Sequence, residues 1–415
     1  MTLLTKRTEN KIRTENTNHY AAIKKPVDLP GGSFGRMPEL IRRFDELRAK
    51  EIPEAPPHVR DNLLDWKKVP IVEASPIGEQ LQLLTNFPRL AEVGAWPAYY
   101  KNPDLPPADS GLGELARAAQ GRLCASPLVF VRPEIVPMLN RAQEILDTHP
   151  ETRCYKLLVV DAYRDLNTQA VLFETYENWL GKQHPDLPPE QLDLRAQRMV
   201  SKPVTGATLC QSPPHHLTGG AVDLILTHKS KLDTSKDSMA RDASVNFGSE
   251  FDEMMHPEFG DKRSGLRYFE LLQKDRTLTP QEAEALNFRR DLWAVMTTVG
   301  FSCYPDEFWH YQYGTQLDAY FKEAPAASFG CAQTAYMPAF WKHAAEALPR
   351  YVQWLETNGM EREEILHLAK RDYGLDQPWV GQPPFDQNRI VVPGIQWGDV
   401  LKAAQSEQEL PPANV

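Results

Sequence analysis

Two short segments of this chain carry residue types that hold metals and move protons. His216-Leu217-Thr218-Gly219-Gly220-Ala221-Val222-Asp223 sets a histidine and an aspartate seven positions apart. Glu307-Phe308-Trp309-His310 sets a carboxylate three positions before a histidine. Two neutral imidazoles and a carboxylate, from His216, Asp223 and His310, make a ligand set suited to Zn2+ with a fourth position open. An open position separates a catalytic zinc from a structural one. Glu307 is then the spare carboxylate, where a general base for a metal-bound water is needed.

The local chemistry supports convergence in the first segment. Gly219 and Gly220 permit the tight turn that brings His216 toward Asp223. Asp223 stands among Ala221, Val222, Leu224, Ile225 and Leu226, an apolar run in which a carboxylate is costly unless paired. A metal would pair it; so would a buried arginine or backbone amides. In the second segment, strand alternation sets Glu307 and His310 on opposite faces, so both reach one cleft only if the chain bends near Pro305–Phe308. Taken alone, Glu-x-x-His equally describes a core histidine beside a surface carboxylate.

Together the segments resemble the D-alanyl-D-alanine dipeptidases, zinc peptidases associated with vancomycin resistance and with bacterial use of peptidoglycan dipeptides. That family is grouped with D,D-carboxypeptidases and the zinc-binding domain of hedgehog proteins. Its His-x-x-Gly-x-Ala-x-Asp pattern is matched by His216, Gly219, Ala221 and Asp223, and its Glu-x-Trp-His by Glu307, Trp309 and His310. Asp161-Ala162-Tyr163-Arg164 matches the family's Asp-x-Tyr-Arg, which implies that Arg164 stabilises the developing oxyanion. Asn246-Phe247-Gly248-Ser249-Glu250-Phe251-Asp252 resembles the segment whose final aspartate binds the substrate ammonium, a role that falls here on Asp252. The helix from Asn287-Phe288-Arg289-Arg290 to Gly300 resembles the family segment that precedes Glu-x-Trp-His. Residues 120–315 carry the resemblance.

The departures touch substrate recognition. The family's serine two residues before the first ligand is Pro214 here, and Ser212 is the nearest substitute for substrate binding. The family's substrate-contacting tyrosine has no counterpart around Pro70–Asn86. His215 adjoins the first ligand but lacks its spacing to Asp223, so it is read as a supporting or solvent-facing residue. Zinc-dependent hydrolysis of a dipeptide or short peptide-like amide is expected. A zinc amidase or carboxypeptidase with another biosynthetic or cell-wall-derived substrate is the first alternative, and a non-catalytic zinc-binding interaction module the second.

Elements must position these groups. Ile135, Met138, Leu139, Ala142, Ile145 and Leu146 recur with helical spacing, and Leu157–Asp161 reads as a buried strand. Helices are expected over Thr168–Leu180, Glu190–Val200 and Gln281–Thr298, the last ending at Gly300; strands over Ala221–Leu226 and Phe308–Tyr313. Another helix is expected over Ala339–Thr357, and Trp96–Ser110 is too rich in proline for one. The fold class is α+β, a small central antiparallel sheet flanked by helices, with N- and C-terminal extensions. Three parts are expected: an extended arm over 1–68 with one short helix near Pro38–Lys50, a catalytic domain over 69–325, and a helical extension over 326–415.

Bulk properties narrow the partners. A formal charge of -10 argues against nucleic acid and anionic membranes. No run of about 18 apolar residues suits a membrane span. The N-terminal stretch lacks the apolar core of a secretory signal. The five cysteines are scattered without CxxC spacing, as in reduced cytoplasmic proteins. The expected partner is a small dipeptide or peptide-like substrate; the oligomeric state stays open.

Overall fold

The structure, a computed structural model, describes residues 36–72, 82–84, 94–95, 129–164, 166–203, 211–231, 244–255 and 262–330. The expected helix over Ala339–Thr357, the proline-rich section over Trp96–Ser110, and Cys124, Cys210 and Cys331 lie outside the described residues.

Helix α1 (Met37–Arg48) buries Leu40 and Phe44. The short helix α2 (Pro57–Asp61) and a 3-10 turn, Leu63–Lys68, follow it. Strands β1 (Gln82–Leu84), β2 (Gly94–Ala95) and β3 (Val129–Val131) precede helix α3 (Ile135–Thr148), whose buried stripe includes the six apolar positions read from the sequence. Then come β4 (Tyr155–Asp161), α4 (Leu166–Gln183), α5 (Pro189–Met199), a 3-10 turn at His215–Thr218 and β5 (Ala221–His228). Helices α6 (Tyr268–Asp275) and α7 (Pro280–Thr298), strands β6 (Ser302–Cys303) and β7 (His310–Gln312), and helix α8 (Gln316–Phe321) complete the described order.

The main sheet runs β2-β4-β5-β7-β6. Its strands β4, β5, β7 and β6 pair antiparallel, and β2 joins the β4 edge in parallel. Strands β4 and β5 are buried along nearly their whole length, which explains why their sequences are continuous apolar runs rather than alternating ones. Helix α7 packs against α1, α3 and β5, while α4 and α5 pack together. The fold is thus mixed helix and sheet, with a small open antiparallel sheet flanked by helices.

Helix α7 has both ends specified locally. Thr279 accepts from the Glu282 amide and Glu282 accepts from the Thr279 amide, a reciprocal cap, with proline in the first turn. At the other end Gly300 takes φ 104, its amide donating to Thr297 and that of Phe301 donating to Met296. That is the left-handed stop expected of a glycine just beyond a helix.

One element differs from the sequence expectation. The strand begins at His310, not Phe308, and Pro305–Asp306 and Phe308–Trp309 form turns. The amide of Phe308 donates to Ser264 at 2.9 Å, outside the sheet. Alternation therefore does not govern Glu307, and the face conflict between Glu307 and His310 disappears.

Candidate active site

The sheet lays three groups in a row. Asp161 at the end of β4 is the register partner of Asp223 on β5, and Asp223 is the register partner of His310 on β7. Directly opposed residues project to the same face, so register alone brings these side chains together. A bulge between Val159 and Asp161 shifts the register at the row's edge.

His216 reaches the row from the 3-10 turn. Gly219 closes that turn with φ 72, its amide donating to His216 at 3.0 Å. Gly220 serves for another reason: a Cβ there would lie 2.6 Å from the Phe329 ring and from the Tyr313 carbonyl. Arg132, buried over the Phe329 ring, donates Nε to the Thr218 carbonyl at 2.7 Å and holds the turn from below.

The imidazole of His216 is oriented by the backbone. Its Nδ1 lies 2.7 Å from the Ala162 carbonyl, which only accepts, so Nδ1 carries the proton and Nε2 keeps its lone pair. That Nε2 is 3.2 Å from His310 Nδ1 and 3.4 Å from Asp223 Oδ2; His310 Nδ1 is 2.9 Å from Asp223 Oδ1. Metal–nitrogen and metal–oxygen bonds of about 2.0–2.2 Å in a tetrahedron separate ligands by roughly 3.3 Å. The donor separations here match that spacing, and a buried lone pair aimed at a second imidazole is otherwise poorly used. Among the described residues, His216, Asp223 and His310 form a buried group able to hold a metal ion.

Arg164 follows the end of β4. It donates Nε to Asp161 Oδ2 at 2.8 Å and Nη1 to Gln169 Oε1 at 3.0 Å, and its Nη2 lies 3.4 Å from Asp223 Oδ2. Gln169 in turn donates to the Ser201 carbonyl at 2.6 Å, which fixes the acceptor that steadies the guanidinium.

Glu307 is 7% exposed and its Oε2 lies 3.8 Å from His310 Nδ1. Burial pushes its carboxyl well above the usual range, and the negative charges of Asp223 and Asp252 push it further, opposed by Arg164. A cation between the ligands would pull it back down. Asp223 goes the other way: burial alone would raise it, but His216 and His310 hold it well below the ordinary carboxylate range. Burial lowers His310 against the opposing pull of Asp223, and so favours the neutral imidazole that a ligand must be.

These groups line a cleft of about 620 Å³, counted out to its open mouth. Arg164, His216, Asp223, Asp252, Glu307 and His310 all border it. Asp252 is 2% exposed and takes φ 61. Ser212 is half-buried in the loop before Pro214 and is not among the lining residues. His215, read as supporting or solvent-facing, is buried and borders the cleft. Gln169, Trp66 and Tyr304 border it too, without having been singled out from the sequence. A glutamine five residues after an arginine carries no motif, and Trp66 lies in the segment read as an arm. Cys303 sits in β6 with its thiol pushed up to about 12 by burial, far from a metal-binding thiolate.

Residues 139–327 match the sequence model of a peptidase family described as D-ala-D-ala dipeptidase. Over these residues the chain is similar to the D-ala-D-ala dipeptidase family. A D-alanyl-D-alanine dipeptidase of Synechocystis sp. is 28% identical over 207 residues, covering 48% of this chain and 74% of that relative. That similarity supports hydrolysis of a peptide bond as the chemistry. Every residue of the site drawn from Arg164 to His310 falls inside the matched segment, whereas Trp66 falls outside it. No helix of the described residues is long and apolar enough to cross a membrane.

Proposed function

We propose that the chain is a zinc-dependent dipeptidase that cleaves a short peptide or peptide-like amide. The observation that carries this reading is the convergence of three buried donors, His216 Nε2, Asp223 and His310 Nδ1, within 4.8 Å of one another beside an uncommitted carboxylate, Glu307. Zinc held there supplies Lewis acidity and lowers the pKa of a coordinated water toward neutrality.

The remaining work belongs to the chain. Glu307 accepts a proton from the attacking water and returns it to the leaving amine, a task open to a buried carboxylate beside the ligands once a bound cation offsets the charges of Asp223 and Asp252. Arg164 faces the developing negative charge with a guanidinium already fixed by Asp161 and Gln169, so little reorganisation is needed during reaction. Asp252 pairs with the free ammonium of the substrate, which selects short chains over internal bonds. The α4–α5 side of the cleft, with Leu172 and Met199, excludes water from the scissile amide. Ser212 contributes to substrate binding only if its loop moves toward the cleft. The arm, catalytic domain and C-terminal extension bounded near residues 68 and 325 remain our division of the chain.

A different amide substrate is favoured by one observation, the proline at 214 where the family's recognition serine is expected. A purely zinc-binding module is disfavoured because it would need neither Glu307 nor Arg164. The test is hydrolysis of a dipeptide panel by purified protein with and without chelator, beside Glu307→Ala. We expect chelator to abolish turnover reversibly and Glu307→Ala to lower kcat by about 10²–10⁴-fold. Turnover that survives both treatments sinks the zinc mechanism; bound zinc without cleavage of any peptide or amide moves the chain to the binding-module reading.

A further inference from the structure

Strand register sets two of the three candidate ligands, Asp223 and His310, but not the third. His216 comes from a 3-10 turn, so its place depends on how that turn and the loop before it are held. Arg132 and Phe329 brace the turn from below. On another side stands a segment from far up the chain, the 3-10 turn Leu63–Lys68 with residues 69–72 after it. Trp66 of that segment sets its ring 4.3 Å, centroid to centroid, from that of His215, the neighbour of the ligand.

The segment is anchored to α8 and to the chain that follows it. The Tyr320 hydroxyl donates to the carbonyls of His58 and Asn62 at 2.9 and 3.0 Å. The Val72 amide donates to the Ala327 carbonyl and the Ala327 amide to the Pro70 carbonyl, each at 2.8 Å. Between these anchors lies Gln316, the first residue of α8 and 2% exposed. Its Nε2 donates to the Val69 carbonyl at 2.6 Å and to the Gln211 carbonyl at 2.9 Å. Two carbonyls can be met only by the NH2 end of the amide, so the partners fix its orientation. The cost is an Oε1 that is buried without a hydrogen-bond partner among the described residues. Gln211 opens the loop 211–214, which runs directly into His215 and His216. One side chain thus ties the N-terminal segment to the loop that delivers a ligand. Residues 63–72 lie outside the matched family segment, and Gln316 lies inside it.

We propose that Gln316 is a positioning residue for the metal site, clamping residues 63–72 to the loop that delivers His216 so that docking of this segment and metal binding are coupled. The proposal deepens the zinc-dependent reading and rests on it. Such coupling is reciprocal: the factor by which the clamp tightens metal binding is the factor by which the metal disfavours release of the segment.

Two measurements on the full-length protein, started metal-free, test the clamp. Zinc affinity is read by competition with a chromophoric chelator, and amide hydrogen exchange is followed with and without zinc. In the wild type, zinc should slow exchange about tenfold across residues 63–72 as well as around the ligands. Gln316→Met nearly keeps the volume but removes both donors; the zinc Kd should rise about tenfold and the slowing across 63–72 should be lost. Tyr320→Phe loosens the same segment without touching loop 211–214, and should leave affinity and slowing within about twofold of wild type. A general loss of stability would move both variants alike, so their difference reports the clamp. Equal losses in the two variants overturn it, as does Gln316→Met with affinity and slowing unchanged. If Gln316→Met fails to fold, the wild-type exchange decides: zinc bound with no slowing across 63–72 overturns the clamp alone. A wild type that binds no zinc overturns the zinc reading and the clamp with it.

Discussion

Two buried arginines in this molecule are used in opposite ways. Arg164 directs its guanidinium at carboxylates, 2.7 Å from Asp161 and 3.4 Å from Asp223, on the floor of the cleft. Arg289, fully buried on α7, donates to the carbonyls of Phe247, Gly265 and Arg263 and to the Ser249 hydroxyl. Its flat faces rest on the rings of Phe269 and Phe308, 4.8 and 4.7 Å from its centre. Burial lowers the pKa of Arg289 to about 9, the cost of a charge with no carboxylate against it. In one arginine the charge matters; in the other, the fork of donors that satisfies carbonyls otherwise stranded in the interior. Arg289 clamps the loop that leads to Asp252 and, through Phe308, the turn that carries Glu307. A cation facing the cleft and a purely structural one thus support the same site from different sides.

The contrast breaks most sharply at Asp223, which Arg164 and both imidazoles share. Zinc added in thousandfold excess over its Kd should stabilise metal-free protein by about 4 kcal/mol, seen as a raised Tm. Asp223→Asn should erase that rise, and a rise that survives would remove the carboxylate from the ligand set. Next in size is Arg164→Lys, which keeps charge but loses the two-pronged grip on Asp161. We expect kcat to fall about 10²–10³-fold with little change in Tm; steady-state kinetics and thermal melts on one preparation decide it. Arg289→Met should show the mirror image. Urea unfolding should report a loss of about 3 kcal/mol as carbonyls lose their donors, with kcat per folded molecule reduced less than tenfold. A larger kinetic than thermodynamic effect would make Arg289 a participant in the chemistry.

The smallest effect concerns the seating of Arg289's helix. Arg276 and the Thr279 amide hold Glu282 down to about 2. Because the folded value lies below the ordinary 4.5, the cap's contribution is complete above that pH and lost as pH falls toward 2. Thr279→Ala should cost about 1 kcal/mol at neutral pH, and Arg276→Gln should flatten that acid dependence, measured by urea titrations between pH 2 and 6.

What the sequence alone made legible follows physical necessity. A carboxylate inside an apolar strand must be paired, so Asp223 stood out, and two glycines after a histidine marked the turn. The helices α3 and α7 were readable because apolar spacing and capping residues are local. Glu307 looked misplaced because alternation presumes a strand, and nothing local declares that Phe308 bonds to Ser264 rather than to the sheet. The roles of Trp66 and Arg289 were illegible for a common reason. Their partners are His215, and Phe247 with Gly265, reached only through tertiary packing.

The carbonyl of Ala162 decides which nitrogen of His216 is free to bind. Every amino acid offers the same oxygen at that place, so this protonation state is inherited from the path of the main chain. Drift in side chains at position 162 leaves the imidazole as it is. An insertion directly after β4, or inside the His215–Thr218 turn, would not, because it would slide the acceptor or the ring away. The proton on this histidine is therefore set by the course of the main chain after β4 and through the turn, more than by which side chains stand there.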